Sequence, residues 1–157
     1  MGGATAMGCG GTPAATTSTS TPVYTGSALS WLSTKARPLN KKLNDDQVVV
    51  DTASAATHET DPTTYFDRLA SACTRLADDA RQARVVQAAP MDSLASAWQL
   101  MAARTETYAS VCLGLTQARS NAALTRWNQS LKDMNAANHA LNAQVNAIRS
   151  GTNAPAG

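Results

Sequence analysis

The feature that most constrains the fold is a regular spacing of large side chains in the second half of the chain. Between residues 91 and 115 they recur in alternating steps of three and four. This spacing follows the turn of an α-helix and places one mainly apolar stripe along one helix face. A helix with a single apolar face needs partner helices to cover it. The stripe consists of Met91, Leu94, Trp98, Met101, Thr105, Tyr108, Cys112 and Leu115.

The segment after residue 26 predicts a first helix with an interruption. We expect this helix to begin with an N-cap at Ser27 and to end near His58. Pro38 is expected to kink or split it, because the residue before a proline, here Arg37, is disfavoured in α geometry. Its predicted stripe is Leu29, Leu32, Ala36, Leu39 and Leu43, continued more weakly by Val50, Ala53 and Thr57.

The second and fourth helices are bounded by clear start and stop residues. Asp61 followed by Pro62 is typical of a helix start, and Pro90 is expected to end the second helix. The third helix should then begin near Asp92, while Ser120 caps the fourth and Gly151 ends it. The second stripe is Phe66, Leu69, Cys73, Leu76, Ala80 and Ala83, and the fourth is Leu124, Trp127, Leu131, Met134, Asn138, Leu141, Val145 and Ile148.

The composition supports packed helices. The chain holds 31 alanines, whereas aromatic residues make up only 4%. Such a composition favours closely packed helices over a β-sandwich or barrel. Four helices of similar length with short connections predict an all-α, antiparallel up-down-up-down four-helix bundle over residues 27–150. Residues 1–26 are predicted to be a disordered tether and residues 151–157 a disordered tail. A continuous third and fourth helix is the alternative, but it buries less apolar surface.

The first 26 residues have an unusual composition. They contain no charged residue and no histidine, and they are rich in Gly, Ala, Thr, Ser and Pro. Too few large apolar side chains are present to offset the entropy of ordering. Within this segment Cys9 follows Gly8 and precedes two further glycines and a run of Thr, Ser, Ala and Pro. This junction resembles that of bacterial lipoproteins, and its composition resembles the actinobacterial, mycobacterial type.

The resemblance implies a compartment and a membrane partner. In that family the cysteine becomes the acylated first residue of the mature protein, which here assigns lipidation to Cys9. Residues 1–8 would be the end of a signal peptide. The protein would be exported and anchored by lipid to the cell membrane, facing outside the cytoplasm. The alternative is a linker that happens to contain a cysteine.

Two further cysteines, Cys73 and Cys112, lie on the stripes of neighbouring helices. In an exported protein such a pair usually forms a disulfide, which we predict here. If the second helix ends near Gln87 and the third begins near Asp92, the pair is offset along the axis by about 9 Å. That is too far for the bridge, unless residues 91–95 belong to the connection. Two buried free thiols are the alternative.

Residue patterns typical of catalysis or cofactor binding are absent from the sequence. The chain has two Glu and two His, too few for the paired Glu-x-x-His motifs of a di-iron bundle. It has no Cys-x-x-Cys-His haem motif and no Gly-x-Ser-x-Gly. The pairs Asp45-Asp46 and Asp78-Asp79 occupy adjacent positions that point in different directions, so we interpret them as solvated surface. A net charge of +2 does not favour nucleic-acid binding. We therefore expect no enzyme activity, no metal, no cofactor and no nucleic-acid partner.

The fourth helix carries a strip of polar residues that costs helix stability. Asparagine is a poor helix former, and here it recurs every seven residues along one flank. The strip is either a hydrated boundary of the core, with Asn138 fixing the helix register, or a recognition surface for a protein or glycan. Its residues are Asn121, Asn128, Asn135, His139, Asn142 and Asn146.

These observations predict a non-enzymatic lipoprotein of the cell envelope that acts as a binding or spacer module. One alternative is a carrier of a lipid or another hydrophobic molecule, with a cavity between the helices. The residues expected to line that cavity are Trp31, Trp98, Trp127 and Tyr108. Another is a prophage-encoded surface factor that blocks a receptor. A third is a cytosolic helical adaptor with free cysteines.

Overall fold

A computed structural model describes residues 22–56 and 61–151. Within these ranges the chain forms five α-helices and one π-helical segment, and it contains no strand. They are α1 (Pro22–Trp31), the π segment (Leu32–Ala36), α2 (Arg37–Ser54), α3 (Pro62–Arg84), α4 (Asp92–Ala118) and α5 (Asn121–Arg149). The first three of these elements run on as one continuous rod, so four helical rods pack together. The predicted all-α four-helix bundle is confirmed.

The predicted caps of α3 and α5 are confirmed. The carboxylate of Asp61 accepts hydrogen bonds from the backbone N–H groups of Thr63 and Thr64, and Pro62 occupies the first turn of α3. The hydroxyl of Ser120 accepts from the N–H of Ala123. These side chains satisfy N–H groups that lack a partner inside the helix.

The break between α4 and α5 occurs at Arg119. This residue has a φ of 46°, in the left-handed region that ends a helix. Its guanidinium lies 4.5 Å from the centre of the Phe66 ring, and its Nε donates to the carbonyl of Thr116. The alternative of one continuous third and fourth helix is therefore wrong.

The first rod differs from the prediction at both ends. It begins at Pro22, so Ser27 lies inside α1, and residues 22–26 belong to the bundle, although they were predicted as tether. Proline is well suited to a helix start because its fixed φ is helical and its missing N–H is not needed there. The rod ends at Ser54, before the predicted end at His58, which lies outside the described residues.

The interruption of the first rod lies just before Pro38. Arg37 keeps α geometry, with φ −57° and ψ −46°, so the expected displacement of this residue is wrong. Its N–H instead bonds to the carbonyl of Leu32, five residues back, which is the pattern of a π-helix. Pro38 has no N–H, and in a regular helix its ring would clash with the carbonyl four residues earlier. The wider π turn thus replaces the predicted break at Pro38.

The π segment also changes which side chains of α1 reach the core. Ala28 and Trp31 are buried. Of the predicted stripe residues, Leu29 is 40% exposed and Leu32 is half-buried. The π turn adds one residue to the rod, so the side chains before it are rotated relative to a regular helix. Trp31 is thereby brought edge to face with Trp98, at 5.4 Å between ring centres.

The stripes of α3 and α4 are confirmed, apart from half-buried Phe66 and Met91 at their ends. On α5 the predicted stripe is confirmed at Met134, Leu141 and Ile148, whereas Leu124 is 42% exposed and Trp127, Leu131 and Val145 are half-buried. This helix packs along α4. Within the first rod, its backbone comes close mainly to α1. One flank of α5 therefore stays open. Its buried residues are Ala123, Ser130, Met134, Ala137, Leu141 and Ile148.

The helix α3 ends at Arg84, six residues before Pro90. Side chains of α4 bind its last carbonyl groups: Trp98 Nε1 donates to Ala83 at 2.8 Å and Gln99 Nε2 donates to Arg84 at 3.0 Å. These donors satisfy carbonyls that have no partner within a helix end. Since Trp98 is level with the end of α3, the first turns of α4 extend beyond it.

This extension resolves the expected mismatch between the two cysteines. Because the first turns of α4 extend past the end of α3, the two cysteines come level along the helix axes. These turns are helical and do not belong to the connection. Cys73 and Cys112 lie at disulfide-bonding distance, with their Cα atoms 6.2 Å apart. Both are fully buried between α3 and α4. The predicted pairing agrees with the structure.

Candidate functional site: a groove between the first rod and α5

The open side of the bundle forms a groove. It has a volume of about 710 Å³ and runs between residues 29–40 of the first rod and residues 142–149 of α5. We call it the α1/α5 groove. It lies where the two rods separate, and its position follows from the way α5 packs mainly against α4. Concave sites of roughly 300–1,000 Å³ are typical of small-molecule binding.

The lining of the groove is apolar on one part and polar on another. The apolar residues are Leu29, Leu32, Ala36, Trp98 and Val145, and the polar ones are Ser33, Arg37, Asn40, Asn142, Asn146 and Arg149. Of these lining residues, Trp98 is the most deeply buried, with only 2% of its surface exposed. An apolar lining with a few polar groups is the usual composition of a ligand site.

The charge of the groove is positive. Arg37 and Arg149 stand on opposite walls, and no Asp or Glu is among the lining residues. Neither arginine has an ion-pair partner in the part of the chain that the structure describes. Four arginines elsewhere in the bundle have carboxylate partners: Arg75 pairs with Asp46, Arg81 and Arg84 with Glu106, and Arg104 with Asp133. The two groove arginines are thus available to an anion.

The predicted asparagine strip only partly coincides with the groove. Asn142 and Asn146 line it. The remaining members, Asn121, Asn128, Asn135 and His139, are exposed elsewhere on α5, and Asn138 is half-buried. Since residues 121, 128, 135 and 142 are seven apart, they follow one line along the helix toward the groove. The strip and the groove therefore form one continuous surface.

The aromatic cavity considered from the sequence is not formed by the four residues expected. Trp31 packs on Trp98, while Tyr108 stacks on Trp127 at 5.7 Å between ring centres. The aromatic rings pack as pairs, and of the four only Trp98 lines the α1/α5 groove. Burial raises the pKa of Tyr108 above its ordinary value, so this phenol stays protonated.

The interpretation of both acidic pairs as solvated surface is wrong for one member of each. Asp46 is 1% exposed and Asp79 is 4% exposed, and they meet between α2 and α3. Asp45 and Asp78 remain on the surface. The helical spacing contains the missed signal. Asp46 lies three and four residues from two buried positions of its helix, and Asp79 is placed in the same way on α3.

The buried pair shares its charge with two basic residues. Lys42 Nζ contacts Asp79 Oδ1, and Arg75 Nε lies 2.5 Å from Asp46 Oδ1. Burial and the neighbouring Asp79 raise the pKa of Asp46. Burial would also raise the pKa of Asp79, but the hydrogen bond with Asp46 and the charge of Lys42 hold it below its ordinary value. Of the two carboxyls, Asp46 is therefore the one that is protonated first as the pH falls.

The described ranges contain no cluster of three or more His, Cys, Asp or Glu side chains that could hold a metal ion. None of the helices in these ranges is both long and apolar enough to cross a membrane. The predicted lipidation site Cys9 lies outside the described residues. Comparison of the chain with known protein families, curated proteins and solved structures found no match.

Proposed function

We propose that the protein is a non-enzymatic binding module of the cell envelope, held to the membrane by a lipid on Cys9. The observation that carries this proposal is the α1/α5 groove together with the asparagine strip that runs into it. A helix that repeats a poor helix former along one flank loses stability at each position. A binding role for that flank, which ends at an open groove, explains why the cost is accepted.

The chemistry of the groove favours binding over catalysis. Its lining residues include no His, Cys, Asp or Glu, the side chains that most often transfer protons or act as nucleophiles. They do include asparagines and arginines, which bind polar and anionic groups without reacting. A small-ligand carrier is a second candidate, since the groove has the volume of a small-molecule site and is lined partly by leucine, valine and tryptophan.

The tether suits a module that works close to a membrane. Twelve residues lie between Cys9 and Pro22, the first residue of α1, and this segment spans at most about 45 Å when extended. The tether joins the bundle at α1, and the end of α1 forms one wall of the groove. A lipid on Cys9 would therefore keep the groove within a short distance of the membrane surface.

Two measurements test this proposal. Native protein would be fractionated into membrane, secreted and cytosolic pools, and its N-terminal peptide analysed by mass spectrometry. We expect an acylated Cys9 in the membrane pool. An unmodified N-terminal peptide in the cytosol would contradict the anchoring.

Binding would be tested by a photo-cross-linking residue at Asn142 in the cells that make the protein. The control position is Ala140, which is also exposed but lies about 200° around the helix. We expect a covalent adduct with an envelope protein, glycan or small molecule from position 142 alone. Equal adducts from both positions, or none from either, would contradict a binding surface at the groove.

A further inference from the structure

We propose that the α1/α5 groove binds a single-chain amphiphile with a carboxylate head, such as a long-chain fatty acid. This inference rests on the proposed binding function and names the ligand class of the same site. The head would lie between Arg37 and Arg149, and the chain would cover the apolar lining toward Trp98.

The first line of argument is charge. A guanidinium group can donate two parallel hydrogen bonds to a carboxylate, and the groove presents one arginine from each wall. Arg149 lies in the last turn of α5, where a cation also balances the helix dipole. Arg37 has no such role, because the rod continues through it without a free helix end. Among the described residues this cation has no carboxylate partner, so it is available to a ligand beside the apolar lining.

The second line of argument is the apolar surface beside these arginines. Leu29 is 40% exposed, and the π segment is what turns it from the core toward the groove. Together with Leu32 and Ala36 it forms an apolar strip on the first rod, which faces Val145 on α5. Residues 29–40 extend over about 16 Å of helix. An apolar strip bordered by one arginine on each wall suits an apolar chain with one anionic head.

Other occupants fit the groove less well. A glycan would satisfy the asparagines but leave the leucines, the valine and the alanine uncovered. A second copy of this chain would need to bury about 800 Å² on each partner, far more than a groove between two rods offers. A cationic or neutral amphiphile would leave both arginines without a partner.

The probe is dodecanoate, titrated by calorimetry into the full chain below the concentration at which it forms micelles. Dodecyltrimethylammonium and dodecyl maltoside are titrated in parallel, because they have the same chain and a cationic or neutral head. We expect one dodecanoate per chain and an affinity at least tenfold higher than for either of the other two amphiphiles.

Variants test the role of the arginines. Arg37→Ala combined with Arg149→Ala should weaken dodecanoate binding at least tenfold. The matched control is Arg126→Ala, since Arg126 is exposed on α5, has no ion-pair partner among the described residues and lies about 24 Å along the helix from Asn142. The control should change the affinity less than twofold. Thermal melts of all variants establish that each is folded.

The position of the chain is tested by fluorescence. In a Trp127→Phe variant the remaining tryptophans, Trp31 and Trp98, pack on each other beside the groove. A dodecanoate brominated at the end of its chain should quench their emission, and unlabelled dodecanoate should reverse the quenching. Absence of quenching at saturating ligand would show that the chain lies elsewhere.

Several results would overturn the inference. Equal binding of all three amphiphiles would show an apolar surface without a carboxylate site, as would unchanged binding in the double arginine variant. Binding that occurs only after removal of residues 152–157 would show that the chain's own C-terminus fills the groove. If dodecanoate fails to bind but position 142 still cross-links a partner, only the ligand class is wrong. If both fail, the proposed function is wrong as well.

Discussion

Asp46 and Asp79 face each other between α2 and α3, although each follows an exposed aspartate in the sequence. Their pKa values move in opposite directions, because burial raises that of Asp46 while the hydrogen bond from Asp46 and the charge of Lys42 lower that of Asp79. Two carboxyls of unequal proton affinity thus lie between Lys42 and Arg75.

This asymmetry predicts different effects of removing each charge. Asp46→Asn removes a carboxyl whose ionised form is penalised by burial, so it should lower the free energy of unfolding at pH 7 less than Asp79→Asn does. Asp79→Asn removes the partner of Lys42 and should lower it by about 1 to 2 kcal/mol, because Lys42 is half-exposed and solvent screens part of the loss. Urea denaturation of both variants measures this difference. Equal destabilisation by the two variants would contradict the assignment.

The pH dependence of stability follows from the same two pKa values. Asp46 contributes stability that is fully present below its ordinary pKa of 3.8 and is lost as the pH rises through its raised pKa. Asp79 contributes stability that is present above 3.8 and is lost as the pH falls through its lowered pKa. We expect Asp46→Asn to remove the decline of the melting temperature that begins as the pH rises above 3.8. An unchanged profile above that pH would show that burial does not raise the pKa of Asp46.

Glu106 links α3 to α4 through two arginines. Its carboxylate lies 2.6 Å from Arg84 and 3.3 Å from Arg81, and the hydrogen bond from Arg84 lowers its pKa. The stability gained is present above the ordinary pKa of 4.5 and is lost as the pH falls through the lowered pKa. Since both arginines are half-exposed, Glu106→Gln should cost only about 0.5 to 1 kcal/mol at pH 7 and less at high salt. Asp67→Asn, an exposed site on α3, is the control in urea denaturation and should have no effect.

The bond between Cys73 and Cys112 closes a loop of 39 residues. Loss of a cross-link of that length should lower the free energy of unfolding by about 4 kcal/mol. We expect this loss in the double variant Cys73→Ala and Cys112→Ala, and in the wild type under reducing conditions. Cys9→Ser leaves the pair intact and serves as the control. Equal unfolding curves with and without reductant would show that the bond is not formed in the protein under test.

Trp98 both fills the core and binds the end of α3. Trp98→Phe keeps a ring but leaves the carbonyl of Ala83 without its donor, so we expect a loss of about 1 kcal/mol or more. Trp127→Phe is the matched control, because its buried Nε1 has no hydrogen-bond partner in the described part of the chain. Thermal and urea denaturation should therefore rank Trp98→Phe below Trp127→Phe in stability. The reverse order would show that the hydrogen bond contributes little.

The parts of the fold that the sequence predicts well depend on neighbours along the chain. Asp61 and Ser120 cap helices because their side chains reach N–H groups two or three residues ahead, and this chemistry is local. The stripe of α4 is likewise a property of one helix. The tryptophan that binds the end of α3 is not local, since it comes from fifteen residues further along.

The candidate site depends on how separate rods meet, which periodicity does not determine. The pattern of α5 identifies an apolar face but not which flank of that face a neighbour covers. The asparagine strip is visible in the sequence because asparagine is a poor helix former. Two of its members, Asn142 and Asn146, line the groove. Arg37 could not be identified in this way, because its place on the groove wall requires both the π segment and the open side of the bundle. The adjacency of the aspartates predicts two surface pairs, whereas their helical spacing from buried positions predicts one buried member in each pair.

Because of the π segment Leu32–Ala36, the number of residues in the first rod determines which side chains face the groove. Removing any one of its five residues would restore a regular helix and rotate α1 by about 100° relative to α2. Leu29 would then turn inward, and Trp31 would leave its place against Trp98. Homologous chains that differ by a single residue in this segment would therefore present a different wall with nearly identical composition, so their binding preferences could diverge without a substitution in the groove.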